Sequence, residues 1–450
     1  MNPAEHFPIP RATIGRLCDA VLASLDEAAI CKLASSHSNA LPCRVLSIDR
    51  GSYNASVCLD FFGRIPRRLL RLPLRPAVRD GWRKVQSEAA TLAYLRKHTS
   101  VSVPRVWAYG QHARVTNDPS TPQPYLLCDY IPGQCLTLGR VRNATSRQRK
   151  ELFSDLIGIY SQFLTLQFPV SESLFPGTDE DGNPRIEGLL SMPMNELLLS
   201  TSSSHPVPGI LRSAASYVDY HLDIVSESAH LPLIDGTLSR VKEQAFALHH
   251  LRLEAHRGLN CLQSQDAESF ILTHPDLHYA NIVVNKELRI QGLIDWEFAG
   301  TVPLCLFRPP AWATGHDGRG FLPPPKEISS DFQMALQLSE HQELKRHWRQ
   351  IGGPGTLAMA EIFCHPNKLE RLFYDFLFPK MFSDSREEAV DRFFADSKNA
   401  ALAAEAAEQL RASERYTAYL KENGLYDEIG EAEAKLAEKR AKILHTLFPT

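Results

Sequence analysis

The feature that most constrains this chain is a change of hydrophobic period near residue 130. Before it, short apolar runs at 43–49 and 55–62 flank Gly51-Ser52-Tyr53-Asn54, whose glycine and asparagine tolerate the positive φ of a tight turn, so the pair predicts a β-hairpin. A third strand is expected at Leu69–Leu72, closed by Pro73. Val85, Ala89, Leu92 and Leu95 then recur at helical spacing within 82–98, and further strands are expected at 105–109 and 125–130. Upstream, Ile14, Leu17, Val21, Leu22 and Leu25 predict one helix over 13–33.

Past residue 130 the period becomes helical. Leu152, Leu156, Ile159, Phe163 and Leu166 form one face, and a second helix is expected from Gly236 through Leu253. Short β-like runs at 270–273, 281–284 and 290–294 interrupt this helical neighbourhood. Residues 303–325, rich in Pro and Gly, predict an irregular surface loop. Proline-free 385–448 predicts long helices with polar outer faces. The expected organisation is α+β: a helical extension (1–39), a small β-rich lobe (40–133) and a larger, mainly helical lobe (134–450).

With 44% hydrophobic and 22% charged residues and a formal net charge of -3, the composition is that of an ordinary globular protein and gives no reason to expect a nucleic acid partner. Nine cysteines stand singly at 18, 31, 43, 58, 128, 135, 261, 305 and 364, without paired or zinc-like spacing, and are expected to be reduced thiols. Residues 1–40 lack the basic start and unbroken apolar core of a signal peptide, and no run of 18 apolar residues could span a bilayer. Cytoplasmic residence is the expectation, with no membrane partner. Oligomeric state is not legible.

The chemistry concentrates in Thr273-His274-Pro275-Asp276-Leu277-His278-Tyr279-Ala280-Asn281, where an acid precedes an amide by five residues, and in Asp295-Trp296-Glu297, which begins fourteen residues after Asn281. Phosphoryl transfer asks a protein for a carboxylate that orients a hydroxyl and accepts its proton, and for oxygen ligands to the Mg²⁺ that bridges the phosphates. Asp276 fits the first role, and Asn281 and Asp295 the second. A different chemistry is open if 274–278 is a strand, since His274, Asp276 and His278 would then face one hydrolytic metal.

His274-x-Asp276-x-x-x-x-Asn281 followed by Ile294-Asp295-Trp296-Glu297 resembles the signature of the aminoglycoside phosphotransferase and choline kinase-like family, in particular its fungal-type members of undefined substrate. The resemblance covers most of 40–300 and implies a two-lobed protein-kinase-like fold with ATP in the cleft. It implies Asp276 and His274 as the catalytic-loop pair, the histidine structural, and Asn281 and Asp295 as the magnesium ligands. It places Gly51, Ser52, Tyr53 and Asn54 at the phosphate-covering turn. Arg71 stands where a phosphate-binding lysine is usual, paired with Glu88 in the following helix, and Asp129, Tyr130 and Ile131 form the adenine-binding hinge. The bland alternatives are a solvated Arg71 among Arg64, Arg67, Arg68 and Arg75, an exposed Glu88, a packing Trp296, and an exposed loop histidine at 278. Glu297 is expected to help shape the acceptor pocket. The implied activity is ATP-dependent phosphorylation of a hydroxyl on an unidentified small molecule, since no Ala-Pro-Glu activation segment follows Asp295. A nucleotide-binding regulatory protein without turnover is the competing expectation.

Overall fold

A computed structural model describes residues 7–118, 120–177, 183–201, 209–261, 269–316, 326–351, 353–427, 429–430 and 434. Two helices, α1 (Arg11–Ala23) and α2 (Glu27–Ser36), precede strands β1 (Arg44–Arg50), β2 (Asn54–Asp60) and β3 (Arg68–Pro73). Helix α3 (Gly81–His98) then leads to β4 (Val106–Ala113) and β5 (Gln123–Asp129). These five strands form one antiparallel sheet in the order β1-β2-β3-β5-β4. The single N-terminal helix expected over 13–33 is instead two. Asp26 caps α2 by accepting from the N–H groups of Ala28 and Ala29, while its own N–H donates to the Val115 carbonyl. A cap and a cross-chain bond break a helix that apolar spacing alone would continue.

Strand alternation decides what each face of the sheet carries. Ala55, Val57, Leu59, Leu70, Leu72 and Leu127 point to one side and pack with Cys18, Ile30 and Ala34 of α1 and α2. Leu126 points the other way, into a core shared with Val85, Ala89, Leu92 and Leu95 of α3 and with the helical lobe. Arg71, between Leu70 and Leu72, is therefore delivered to the α3 side.

The chain enters the helical lobe through β6 (Gln134–Cys135), which pairs with a later strand. Gly133 sits at φ +144°, where an added Cβ would lie 2.6 Å from Val283 Cγ1 and 2.8 Å from the Val284 carbonyl oxygen, so only glycine fits this crossing. Helices α4 (Leu138–Asn143) and α5 (Ser146–Leu164) follow. A Thr145/Gln148 capping box starts α5, and its apolar stripe buries Leu152, Phe153, Leu156, Ile157, Tyr160 and Phe163, each contributing about 1.5–3 kcal/mol. Short strands β7 (Gln167–Phe168), β8 (Ser173–Phe175) and β9 (Arg185–Glu187) precede α6 (Met192–Ser200), α7 (Ala214–Ala229) and α8 (Leu238–Cys261).

Four short strands then carry the loop chemistry: β10 (Phe270–Thr273), β11 (Ile282–Val284), β12 (Ile290–Leu293) and β13 (Gly300–Pro303). After them come α9 (Ala311–Thr314), α10 (Lys326–Leu338), α11 (Gln342–Gln350) and α12 (Pro354–Cys364). The expectation of an irregular surface loop at 303–325 fails over its described part. Phe307 and Trp312 are buried, the Trp312 indole donates to the Leu277 carbonyl, and this stretch forms an interior wall of the helical lobe. Residues 317–325 lie outside the described residues. Helices α13 (Leu369–Leu372), α14 (Phe378–Met381), α15 (Arg386–Ala395) and α16 (Ala400–Glu422) complete the described chain. Most of 431–448 also lies outside the described residues. The architecture is α+β, a sheet lobe followed by a mainly helical lobe, as in protein kinases.

Candidate active site

Two turns carry the acids of the helical lobe, and one imidazole fastens both. His274 Nε2 donates to the Ile294 carbonyl at 2.9 Å, and its Nδ1 accepts from the Asp276 N–H at 3.2 Å. The ring lies 4.8 Å from buried Trp296. Both ring nitrogens face backbone, so His274 is a positioning residue that joins the Asp276 turn to the Asp295 turn. Asn281 adds two ties. Its side-chain amide donates to the Asp276 carbonyl at 3.0 Å, and its own carbonyl accepts from the Ile294 N–H at 3.0 Å. Residues 274–278 form a turn, so the alternating strand needed for a hydrolytic His-Asp-His site does not exist. Among the described residues no group of three or more His, Cys, Asp or Glu could hold a metal ion.

The second turn is bent by two left-handed residues, Asp295 at φ +69° and Phe298 at φ +59°. Each such conformation costs roughly 1–2 kcal/mol for a non-glycine residue, and Phe298 tolerates it less well than aspartate. The bend separates neighbouring side chains. Trp296 enters the core and donates to the Leu293 carbonyl, while Asp295 and Glu297 meet the cations of the sheet lobe.

Those cations are Arg71 and a residue that sequence reasoning missed, Lys84. Arg71 lies 3.2 Å from Glu88 and 3.5 Å from Glu297, and also pairs with Asp295. Glu88 is buried too, which removes the reading of it as an exposed helix acid, and Arg71 is not a solvated strand residue. Lys84 is fully buried and pairs with Glu297, and its ammonium donates to Asn54 Oδ1 at 2.7 Å. Asn54 in turn donates to Glu297 at 2.5 Å. Lys84 and Glu88 occupy i and i+4 of α3 and so share one face. That spacing was the available signal, and it reads equally well as a solvated pair until Glu297 arrives from the other lobe. Glu297, expected at the acceptor pocket, therefore sits on the cation side instead.

Electrostatics follow from this packing. Burial alone would lower the Arg71 pKa, but the carboxylates of Glu88, Asp295 and Glu297 outweigh it and raise the value. Asp295 resists burial because Arg71 and Lys84 hold it down to about 2. Glu297 is pushed up to about 7 by burial and by the Asp295 charge, against the pull of Lys84 and Arg71. Ionised Asp295 and the amide oxygen of Asn281 suit a small hard cation that keeps waters and phosphate oxygens as its other ligands.

The turn above the cleft is anchored rather than free. The Tyr53 hydroxyl donates to Glu196 at 2.9 Å and its ring meets Phe298 edge-on at 5.1 Å, while the Gly51 N–H closes the turn on the Asn54 carbonyl. Ser52 lies exposed at its tip. At the lobe connection, the N–H groups of Asp129 and Tyr130 donate to the Arg105 and Arg67 carbonyls, and Ile131 packs beside Gly292.

On its other side Asp276 opens on a cleft between α6, α7, β13 and α12. His278 lines it with Nε2 3.8 Å from Asp276, as does His365 with Nε2 3.6 Å from Asp276 and 3.5 Å from Glu361. Glu361 accepts from Arg308 and from Lys368, each at 2.6 Å; although burial raises its pKa, Arg308, His365 and Lys368 hold it down to about 2. Nothing in the local sequence announces Arg308, Glu361 or His365, because their partners are distant in the chain.

A family model described as the phosphotransferase enzyme family matches residues 63–305, more than half of the 450. A curated relative, Clavilactone A biosynthesis cluster protein Y of Ampulloclitocybe clavipes, is 26% identical over 61% of this chain and 64% of its own length. Altered inheritance of mitochondria protein 9, mitochondrial, of Saccharomyces cerevisiae is 23% identical over 58% of this chain and 48% of its own. The chain thus spans less than two thirds of either relative. Among solved structures, Plasmodium vivax ethanolamine kinase is similar with a TM-score of 0.39 and 14% identity over 82% of this chain and 81% of that one. No helix among the described residues is long and apolar enough to cross a membrane.

Proposed function

Because the chain belongs to the phosphotransferase enzyme family, we propose that it moves the γ-phosphate of ATP onto a hydroxyl group of a small molecule. The observation that carries this reading is the double tie made by His274, which holds the Asp276 and Asp295 turns at one cleft opposite Arg71 and Lys84.

In this reading Asp276 orients the acceptor hydroxyl and takes its proton. Arg71 and Lys84 give their charge to the phosphates, and Glu88 keeps the Arg71 guanidinium in place. The turn from Gly51 through Ser52 and Tyr53 to Asn54 covers the phosphates, and the Asp129-Tyr130-Ile131 segment holds adenine. Asn281 and Asp295 hold Mg²⁺, which when bound neutralises phosphate charge. Cys18, Cys31, Cys43, Cys58, Cys128, Cys135, Cys305 and Cys364 are free thiols, which suits the cytoplasm, where we place the protein. The mitochondrion is the alternative that the yeast relative's name suggests.

The test is acceptor-dependent ADP release from a fractionated metabolite extract, with Asp276→Asn as the blank. Wild-type protein should release ADP with at least one fraction, and the variant should bind Mg-ATP yet release none. Wild-type turnover by the variant would overturn the assignment of the base. A second reading, nucleotide binding without turnover, is favoured by the Arg71–Asp295 pair, which engages a proposed metal ligand. It predicts ATP binding and no ADP release with any fraction.

A further inference from the structure

The cleft beyond Asp276 carries a chemical character of its own. Its wall is largely apolar and aromatic, with Leu189, Met192, Phe298, Val302, Leu306 and Trp312 among the side chains facing it. Among the described residues, three charged side chains other than histidine reach that wall: Asp276, Arg308 and Glu361. Glu361 is spent internally, bonded at 2.6 Å to Arg308 and at 2.6 Å to Lys368 just behind the wall. Counting Lys368 with them, two carboxylates meet two cations. The histidine deepest in the wall, His221, ties Nδ1 to the Tyr217 carbonyl at 2.9 Å, and burial lowers its pKa to about 4, so it is neutral near pH 7.

A polyamine sugar needs several carboxylates to offset its ammonium groups, and a lone quaternary ammonium needs at least net negative surroundings beside its aromatic cage. The described residues of this wall offer neither. Bringing a cation here would place it beside Arg308, and Glu361 would have to release a partner to receive it. Apolar area, by contrast, is available at about 25 cal/mol per Å² buried.

We infer that the cleft binds an uncharged alcohol or phenol on an apolar, ring-sized or larger carbon frame, with its hydroxyl directed to Asp276. That this ligand is the phosphate acceptor rests on the phosphotransfer reading above; the binding preference does not.

Binding of β-estradiol, farnesol, 2-naphthol, choline and kanamycin to the full chain is to be measured by calorimetry with Mg-ADP present. At least one of the three neutral hydroxyl compounds should bind saturably at one site, at least 10-fold tighter than choline or kanamycin. Met192→Arg and Val302→Phe, one adding charge to the wall and one filling it, should each weaken that binding 10-fold or more. Unchanged Mg-ADP affinity in each variant reports an intact fold, and the milder Val302 change is decisive where the Met192 variant does not fold. The inference is overturned if choline or kanamycin binds tighter, if none of the neutral compounds binds, or if folded variants bind them like wild type. Phosphate transfer to kanamycin or choline would keep the phosphotransfer reading and sink this one. A neutral compound that binds at the cleft while no acceptor supports ADP release would do the reverse.

Discussion

Replacing Lys84 with methionine tests the cation cluster, because stability and nucleotide binding should respond differently. Removing one partner of a buried ion pair ordinarily costs about 3–5 kcal/mol, since the other charge is left buried and alone. Here the bereaved group is Glu297, which burial and Asp295 already push up to about 7, and which keeps Asn54 at 2.5 Å and Arg71 at 3.5 Å. It can take a proton near neutral pH, so the expected loss is reduced to about 1–2 kcal/mol in urea unfolding. Nucleotide affinity has no such escape. A charge-assisted hydrogen bond to phosphate contributes about 1.5–3 kcal/mol, which is roughly 10- to 150-fold in Kd for Mg-ATP. Glu297→Gln in the Lys84→Met background should recover most of the lost stability and none of the affinity. Wild-type Mg-ATP affinity in Lys84→Met would remove Lys84 from the nucleotide site. Failure of the double variant to regain stability would refute the pairing argument itself.

Acid sensitivity follows from two buried histidines: His221 is lowered to about 4 by burial, and His316 to about 4 by burial and by Arg308 and Lys380. The unfolded chain protonates them first, so their contribution to stability is full above about pH 6.5 and falls toward pH 4, by about 1.4 kcal/mol per histidine at pH 5.5, while Glu297, raised to about 7, contributes in the opposite direction over the same range. The difference between wild type and His221→Asn in denaturant midpoints at pH 7.5 and 5.5 measures the His221 part: the wild type should lose more than the variant on acidification. Gly133→Ala should destabilise by about 2 kcal/mol or more, because its Cβ meets the Val284 carbonyl at 2.8 Å on a positive-φ backbone. A change below 0.5 kcal/mol in thermal unfolding would contradict the crossing geometry.

The chain spells out what depends on near neighbours. The hairpin around Gly51–Asn54, β3 ending at Pro73, and the α5 stripe are read from period and punctuation because alternation is local, although neither Gly51 nor Asn54 takes the positive φ expected of it. Glu88 is named as the partner of Arg71 only through the family resemblance. Lys84 could not be named, since its burial is decided by Glu297, a residue from the opposite lobe. The same reason hid the wall at 307–316. Its prolines and glycine mimic a surface loop, and only contact with Leu277 and the α5 face makes Phe307 and Trp312 interior. The break between α1 and α2 is masked more simply: the apolar period runs on through Asp26, whose carboxylate caps α2.

Arg71 and Lys84 find their charge partners, Asp295 and Glu297, within the protein itself. In the proposed reading, the phosphates of a nucleotide would enter by partner exchange, taking these cations from carboxylates that would pass to metal or proton in turn. Such an exchange conserves charge pairs and gives little long-range attraction. Association should then depend only weakly on ionic strength, and the metal would act as the counterweight that lets go of the arginine.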